Sequence, residues 1–549
     1  MWRTKKVYNG LNGIISRGWR GDNNMNSPII GTKSMVVSPH YLASMAGNEI
    51  LGKGGNAFDA AVAVSACIGV VYPHMAGIGG DMFWLTYDSK SNKIDAYNGS
   101  GRTGSTVNRS LYEGEKKIPF RGIKSAITVP GMVDSWVAIL ERYGTMSLNE
   151  VLQPAITYAE KGFPISNDQV HFTDQTKNLL AQTATTSKIY LPDGQVPKAG
   201  TRFIQSDLAK SLKAIAVGGR STFYEGALTK EMITYLQSEG GYLTLDDFAR
   251  HHGQWVEPLS VTYRDYTIYQ VPPNSQGFVG LMALNILENV DFSQVPYNSS
   301  EYFHILIEAL KESFVYRNQY LTDPEFADIP LKKLLSKSMG KKLFEQIHHT
   351  AASISSPPVG SDTAYAAVVD QEGNAVSFIG SLYHEFGSGI VAGDTGILLQ
   401  NRGSFFSLDP NHVNTLEPNK RSFHTLMPAL ACQNGKPKIV YGTQGGEGQP
   451  QTQTVMITRM IDYGVKPQEA ISEPRFVWGR TWGDECETLR IENRVELCEI
   501  EQLKERGHDV EVVEAFDAAM GHAHAILIDE NHFLIGGVDP RSDGAAIGS

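Results

Sequence analysis

Most short motifs in this sequence do not fit a familiar chemistry. Gly77-Ile78-Gly79-Gly80 is glycine-rich like a dinucleotide-binding loop, but it precedes a predicted strand and lacks the third spaced glycine. His522-Ala523-His524 offers two metal ligands on alternate strand positions without a third, so a packed or hydrogen-bonded pair is favoured. No GxSxG, P-loop or HExxH motif occurs. We therefore expect an activity that needs no metal, nucleotide or flavin cofactor.

Thr363 is the remaining candidate, because it lies where the character of the chain changes. It follows a polar stretch at 350–362, which predicts an exposed linker, and it begins the strand-like run TAYAAVV. A threonine hydroxyl needs an adjacent base to act as a nucleophile. The α-amine released by a cut before Thr363 would have a pKa of about 7.7–8.0 and could serve as that base. On residue type alone a simpler alternative stays open, since a threonine at the start of a strand commonly only packs or caps.

Strands are predicted at both ends of the chain, and these strands must position Thr363 and its surroundings. Alternating and β-branched patterns place them at 34–38, 82–87, 93–97, within 260–271, at 363–369 and 375–381, and at 397–400, 438–441, 522–528 and 532–538. Edge strands of a large sheet seek partners, so the two ends of the chain must meet in space.

Helices are predicted for the middle of the chain and for one buried segment near its start. Asn56 and Asp59 have capping-box spacing before AAVAVSACIGVV, which is apolar on every face and should be buried. The other helices are expected at 40–51, 132–142, 147–161, 206–216, 229–238 and 300–318.

Composition excludes several classes of protein. Of 549 residues, 41% are hydrophobic and 19% charged, with a net charge of −11, which disfavours both disorder and a nucleic-acid partner. No run reaches the roughly 18 apolar residues of a membrane span, and no partner membrane is expected. The four cysteines, 67, 432, 486 and 498, form no CxxC pair and are expected to be reduced. We expect residues 1–32 to form an irregular arm. Because this segment has no secretory signal, we also expect a cytoplasmic protein.

Longer segments resemble the γ-glutamyltranspeptidase family, in order and from about residue 33 onward. They include GGNAFDAAVAVSACIGVVYPHMAGIGGDMFWLTYD (54–88), TVPGMVDSW (128–136), VPPNSQG (271–277), DTAYAAVVDQEGNAVS (362–377), FGSGIVAGDTGILLQNRG (386–403), GTQGG (442–446) and GGVDPRSDG (536–544). The resemblance implies an α/β (α+β) fold, the four-layer αββα sandwich of N-terminal nucleophile hydrolases, built from both halves of the chain.

The resemblance also implies the catalytic roles. The precursor would cut itself between Asp362 and Thr363 into a large subunit, 33–362, and a small subunit, 363–549, with Thr363 as the nucleophile. Gly445 and Gly446 match the glycine pair whose backbone N–H groups stabilise the oxyanion, although a plain turn is the alternative. Ser381 takes the place of a second threonine that hydrogen-bonds the nucleophile and assists processing.

The substrate-binding positions depart from the family pattern. An arginine that binds the substrate α-carboxylate is replaced by Asn98, and the three residues that hold the α-amine are replaced by Tyr383, Arg402 and Phe405. An ammonium beside Arg402 would be repelled, whereas a carboxylate could be bound by Arg402 and by Arg102. Structural ion pairing is the alternative for both arginines.

Two further positions fall where the family has adjacent serines that position the substrate, and here they read His424 and Thr425. The segment 406–421 is also shorter than the lid-bearing segment of the family. This combination resembles the branch that includes cephalosporin acylase-like proteins.

The resulting hypothesis is a self-processing N-terminal threonine amidohydrolase or acyltransferase. It would act on γ-glutamyl or glutaryl-like amides, with glutathione among the candidates, and its partners would be a small-molecule amide and the two subunits of one precursor. Pairing of two heterodimers is left open. The alternative function is a non-catalytic, unprocessed family remnant that binds small molecules.

Overall fold

The computed structural model describes residues 28–353, 362–479 and 487–549. Most of the predicted linker, Cys486 and the first 27 residues of the predicted arm lie outside these ranges. The expectation of an irregular arm to residue 32 is wrong at its end, because Ile29–Gly31 forms a strand. This strand pairs with Leu534, Ile535 and Gly536 near the other end of the chain, so its backbone groups are satisfied by a sheet.

The strands, in chain order, are β1 Ile29–Gly31, β2 Met35–Ser38, β3 Asp81–Asp88, β4 Lys93–Gly99, β5 Phe163–Pro164, β6 Arg202–Phe203, β7 Gln254–Val256, β8 Leu259–Tyr263, β9 Tyr266–Gln270, β10 Asp362–Val369, β11 Ala375–Tyr383, β12 Ala429–Gln433, β13 Lys436–Thr443, β14 Phe476–Trp478, β15 Leu489–Glu492, β16 Val510–Val513, β17 Ala523–Ile528, β18 Leu534–Val538 and β19 Ala545–Gly548.

The α-helices are α1 Tyr41–Gly52, α2 Ala57–Val71, α3 Met132–Tyr143, α4 Leu148–Lys161, α5 Asn167–Gln175, α6 Lys177–Leu180, α7 Ala184–Tyr190, α8 Ser206–Tyr224, α9 Ala227–Ser238, α10 Leu245–Ala249, α11 Gly277–Leu287, α12 Ser300–Tyr320, α13 Leu331–Leu334, α14 Lys337–Phe344, α15 Gly448–Ile461, α16 Pro467–Ser472 and α17 Leu497–Glu505. Within the described ranges, none of these helices is both long and apolar enough to cross a lipid bilayer.

Two seven-stranded sheets form the centre of the molecule. One has the order β1-β18-β17-β13-β12-β9-β8 and the other the order β19-β2-β10-β11-β3-β4-β7. The strands within each sheet are antiparallel neighbours. Both sheets combine strands from before and after Thr363, as the resemblance implied.

The alternation along β10 shows how the layers stack. Tyr365, Ala367 and Val369 belong to the apolar core between the two sheets. Ala364, Ala366 and Val368 lie instead in the core shared with the helices around α2. A third core joins helices α11, α12 and α15 to the outer face of the sheet that contains β9, β12, β13 and β17. The predicted αββα sandwich is confirmed.

Local signals in the first helical layer are also confirmed. Asn56 Oδ1 accepts hydrogen bonds from the backbone N–H groups of Phe58 and Asp59, and the Asp59 carboxylate accepts one from the backbone N–H of Asn56. All fifteen residues of α2 are buried, as their uninterrupted apolar character predicted. This helix covers the strand that carries Thr363.

The predicted strand at 397–400 is wrong. Leu398 and Leu399 make isolated bridges to Val391 and Gly79 and join neither large sheet. The apolar run reflects burial in a turn-rich segment rather than membership of a sheet, which periodicity alone cannot distinguish.

Candidate active site

Thr363 lies at an irregularity of the central strand pair. Asp362 is opposite Tyr383 and Ala364 is opposite Gly380, so the register shifts at Thr363. Such a bulge re-aims a side chain and is common next to active sites. Thr363 is fully buried in this structure.

Gln449, on the first turn of α15, contacts the candidate nucleophile. Its Nε2 donates to Thr363 Oγ1 at 3.3 Å, and its Oε1 accepts from the backbone N–H of Met427 at 3.3 Å. The second bond fixes the amide orientation and so directs the N–H donor to the hydroxyl. Gln449 was not predicted from the sequence, where its position shortly after Gly445-Gly446 is the only local signal.

Gly445 and Gly446 lie immediately before α15. Their φ angles are 120° and 50°, in the region that glycine adopts most readily. A Cβ at Gly445 would also stand 3.1 Å from the Cα of Gly521. Backbone N–H groups at the start of a 14-residue helix carry partial positive charge, which suits an oxyanion. The oxyanion role itself stays a prediction.

Gln276 joins this glycine pair to the segment that carries Thr425. Its Nε2 donates to the carbonyl oxygens of Thr425 and Gly446, at 2.9 and 3.0 Å. Its Oε1 accepts from Arg317, which also pairs with Glu447 at 3.1 Å. The sequence analysis noted the loop VPPNSQG but assigned no function to Gln276, which holds the backbone beside the candidate nucleophile.

Ser381 lies on β11 opposite the bulge, between Gly380 and Tyr383. Its Oγ accepts a hydrogen bond from the backbone N–H of Tyr383 at 2.7 Å. This bond supports Tyr383, whose φ of 88° is unusual for a residue with a side chain. Assistance of the nucleophile by Ser381 stays a prediction.

Tyr383, Arg402 and Phe405 form one buried stack, so these three substituted positions are neighbours. The two rings stack with centroids 3.9 Å apart, and the guanidinium carbon of Arg402 lies 4.5 Å from the Tyr383 centroid and 5.0 Å from that of Phe405. Arg402 is 1% exposed, and its three side-chain nitrogens have no hydrogen-bond partner among the described residues. Burial lowers the pKa of Arg402 to about 10, so it remains a cation at neutral pH. A buried cation with unused donors is suited to bind an anion.

His424 belongs to the same buried group through Asp81. His424 Nε2 lies 3.0 Å from Asp81 Oδ2, while Asp81 Oδ1 accepts from the backbone N–H groups of Gly101 and Gly131. Burial lowers the pKa of His424 to about 4, and the nearby charge of Arg402 acts in the same direction. Burial alone would raise the pKa of Asp81, but the hydrogen bond from His424 and the charge of Arg402 lower it. The sequence analysis did not identify Asp81.

The side chains of Asn98 and Arg102 bind other residues of the protein. Asn98 Nδ2 donates to Asn274 Oδ1 at 2.8 Å. Arg102 pairs with Asp323 at 3.1 Å and with Glu325. Structural ion pairing, the alternative named above, therefore describes Arg102, and a role as second carboxylate clamp is not supported.

Two other groups of side chains contain potential metal ligands. His522 Nδ1 lies 3.2 Å from the Tyr72 hydroxyl, and His524 stacks on Tyr365. Elsewhere the ligand atoms of His304, Glu308 and His508 lie within 4.8 Å of one another. The two histidines of that cluster are 2.8 Å apart, and Glu308 pairs with Lys311 at 2.9 Å, so these groups already satisfy each other.

Comparison with known proteins identifies the family. The model described as gamma-glutamyltranspeptidase matches residues 43–549. The glutathione hydrolase-like YwrD proenzyme of Bacillus subtilis is 63% identical over 95% of this chain and 100% of its own length. The oxamate amidohydrolase proenzyme of Klebsiella pneumoniae is 41% identical over 95% of this chain and 100% of its own length. The crystal structure of cephalosporin acylase from Bacillus halodurans aligns with a TM-score of 0.89 at 34% identity, covering 97% of this chain and 98% of that one.

The family match agrees with the fold and with the buried surroundings of Thr363. It favours an enzyme over the non-catalytic alternative, because the similar chains are named as hydrolases, amidohydrolases and acylases. The chain belongs to the γ-glutamyltranspeptidase family and is an N-terminal nucleophile amidohydrolase or transferase.

Proposed function

We propose that this protein cuts its own chain between Asp362 and Thr363 and then uses Thr363 to cleave amide bonds of small molecules. The observation that carries the proposal is the contact of Gln449 with the Thr363 hydroxyl, at the start of the helix that follows Gly445-Gly446. It brings the hydroxyl near a helix terminus able to stabilise an oxyanion.

The chemistry follows from these groups. After the cut, the free α-amine of Thr363 takes the hydroxyl proton while Oγ1 bonds to the amide carbonyl carbon. The backbone N–H groups of Gly445 and Gly446 stabilise the resulting oxyanion. The amine leaving group departs with the proton and leaves an ester on Thr363. Water or an acceptor amine then releases the acyl group and restores the hydroxyl.

The proposed donors are amides whose acyl group carries a free carboxylate. Arg402 is a buried cation without a hydrogen-bond partner among the described residues, so a carboxylate would satisfy it. One similar chain is named an oxamate amidohydrolase, and oxamate carries a carboxylate next to its amide. The ammonium of a γ-glutamyl donor would be repelled by Arg402, so γ-glutamyl compounds, glutathione included, are proposed as the poorer donors.

Gel electrophoresis tests the self-cleavage. The cut divides 549 residues into fragments of 362 and 187, which by proportion of 60.2 kDa are about 40 and about 20 kDa. N-terminal sequencing of the smaller fragment should begin TAYAAVV. Thr363→Ala should give a folded, full-length precursor, because it removes the attacking hydroxyl. A wild-type chain that stays at full length would instead support the non-catalytic alternative.

A pair of anilides with one leaving group tests the donor class. We expect a glutaryl anilide to exceed the matching γ-glutamyl anilide in kcat/KM by roughly a hundredfold, since an unsatisfied buried charge costs about 3 kcal/mol. Succinyl and oxalyl amides, the latter being N-substituted oxamates, extend the series and locate the carboxylate along the acyl chain. Tenfold better turnover of the γ-glutamyl compound would refute the proposed donor class while leaving the self-cleavage intact.

Cytoplasmic location and the association of two processed heterodimers stay predictions. Cell fractionation tests the first, and the mass of the processed protein measured by light scattering tests the second.

A further inference from the structure

Two side chains of the buried group around Asp81 have hydrogen-bonding atoms that the described protein does not use. They are the guanidinium of Arg402 and Nδ1 of His424. Arg402 is 1% exposed and His424 is 1% exposed, so solvent does not satisfy them either. Unused polar atoms at such depth are rare in proteins and mark a place that a polar ligand completes.

The protonation state of His424 is set by Asp81. Asp81 accepts backbone hydrogen bonds through Oδ1, and its Oδ2 faces His424 Nε2 at 3.0 Å. Burial would raise the pKa of Asp81, but the hydrogen bond with His424 and the charge of Arg402 lower it, so Asp81 is ionised. Nε2 therefore carries the proton. In the free protein, Nδ1 of the neutral ring is then a lone pair.

A lone pair and a carboxylate are both acceptors, so neutral His424 cannot bind a carboxylate through Nδ1. It can do so once Nδ1 is protonated. The ring then donates from both nitrogens, one to Asp81 and one to the ligand.

The charges of the cluster favour this change. Without ligand, Arg402 and Asp81 balance each other and His424 is neutral. A bound carboxylate adds a negative charge to this buried site, and one proton on His424 cancels it. Buried charges are tolerated only when paired in this way.

The other charged groups near His424 do not supply the missing positive charge. Arg421 pairs with Glu325 at 3.6 Å and donates to the carbonyl oxygen of Ser100. His251, which interacts with Asp81, is held neutral by burial, with its pKa lowered to about 4. Gln400, which is uncharged, also faces Asp81, and the rings of Phe83 and Tyr383 lie against His424 and Arg402.

We propose that the free carboxylate of the donor is held by Arg402 and His424 together, and that His424 takes up one proton from solvent when the carboxylate binds. This inference rests on the proposed function, because it assigns the atoms that recognise the proposed carboxylate-bearing acyl group.

Calorimetry of the processed wild-type enzyme with glutarate tests the proton uptake. Titrations at about pH 6 in buffers of different ionisation enthalpy give the number of protons bound with the ligand. We expect the wild type to take up close to one more proton per bound glutarate than His424→Asn does. Taking the difference between the two proteins removes any contribution from the Thr363 amine. Since the free His424 has a pKa of about 4, the affinity should rise up to about tenfold for each unit that the pH falls toward it.

Asp81→Asn provides a second, opposite test. The amide can donate to His424 Nε2, which leaves the proton of the neutral ring on Nδ1, ready for the carboxylate. We expect this variant to bind glutarate without proton uptake and with little dependence on pH. It keeps the proposal testable if His424→Asn does not fold.

The outcomes separate the two proposals. Glutarate binding with the same proton count in wild type and His424→Asn would overturn the role of His424 and leave the carboxylate-binding Arg402 in place. Failure of the wild type to bind glutarate, together with poor turnover of glutaryl amides, would overturn the proposed donor class and this inference with it.

Discussion

Gln449 donates its side-chain amide to the hydroxyl of Thr363 across 3.3 Å, from the first turn of α15. The bond uses the lone pair of the hydroxyl and leaves its proton free for a base. Gln449 thus orients the hydroxyl rather than activating it.

Gln449→Ala is therefore expected to slow both the self-cleavage and the turnover of an acyl donor by about three- to tenfold, the effect of one lost hydrogen bond of roughly 1 kcal/mol. Time courses of precursor loss and of anilide hydrolysis measure the two rates. Gln371→Ala is the matched control, because Gln371 is exposed and lies in the turn after β10. Equal rates for Gln449→Ala and the wild type would contradict the orienting role.

The two candidate arginines should behave differently. Arg402→Gln is expected to lower kcat/KM for a glutaryl anilide by about a hundredfold and to narrow its advantage over the γ-glutamyl anilide, since the buried cation is lost. Arg102→Gln should leave the ratio of kcat/KM for the two anilides unchanged, because Arg102 pairs with Asp323 and Glu325. If this ratio changed in Arg102→Gln and not in Arg402→Gln, Arg102 rather than Arg402 would be the residue that binds the donor carboxylate.

Gly445→Ala should reduce kcat by about 10²–10³ by displacing the candidate oxyanion donor. A side chain there is strained by the φ of 120°, and its Cβ would stand 3.1 Å from the Cα of Gly521, so the local backbone must shift. Gly435→Ala is the control, since Gly435 also has a positive φ, 78°, but has open space around it. That control should cost some stability and keep its kcat. Full activity of Gly445→Ala would remove this glycine from the mechanism.

Acid should destabilise the fold through its buried histidines. Burial lowers the pKa of His522 to about 3 and those of His524 and His251 to about 4, whereas the unfolded value is about 6.5. As the pH falls, the unfolded chain thus binds protons before the folded protein does. The contribution of these histidines to the free energy of unfolding is therefore fully present above about pH 6.5 and is lost as the pH falls below it. Each histidine contributes a loss of about 1.4 kcal/mol per pH unit below that value.

Denaturant midpoints between pH 7.5 and 5.5, which bracket the unfolded value of about 6.5, should therefore fall steeply. His524→Gln should reduce the slope, and the exposed His349→Gln should not. A midpoint that is independent of pH would show that these rings are hydrated in the folded protein.

Local patterns predicted the fold better than the site. The Asn56 cap, the apolar α2 and the alternating β10 and β11 are each encoded within a few residues, and all are present. Helix α11 was missed because GFVGLMALNIL is apolar on every side and contains two glycines, so it has no helical period to detect.

The contacts of the site span long distances along the chain. Gln449 is 86 residues from Thr363, and Asp81 is 343 residues from His424. Neither pair leaves a pattern in the sequence, since both depend on how the sheets bring separate strands together. The family resemblance supplied the positions of Arg402 and His424, but only the structure shows that both retain unused hydrogen-bonding atoms.

The strand order has a consequence for the enzyme after cleavage. In one sheet β10 lies between β2 and β11, and in the other β12 lies between β9 and β13, so each fragment supplies strands to both sheets. Separating the fragments would require breaking the ladders and exposing the core between the sheets. The lifetime of the processed heterodimer should therefore be set by the rate of global unfolding and not by a dissociation constant, so that dilution alone does not inactivate it.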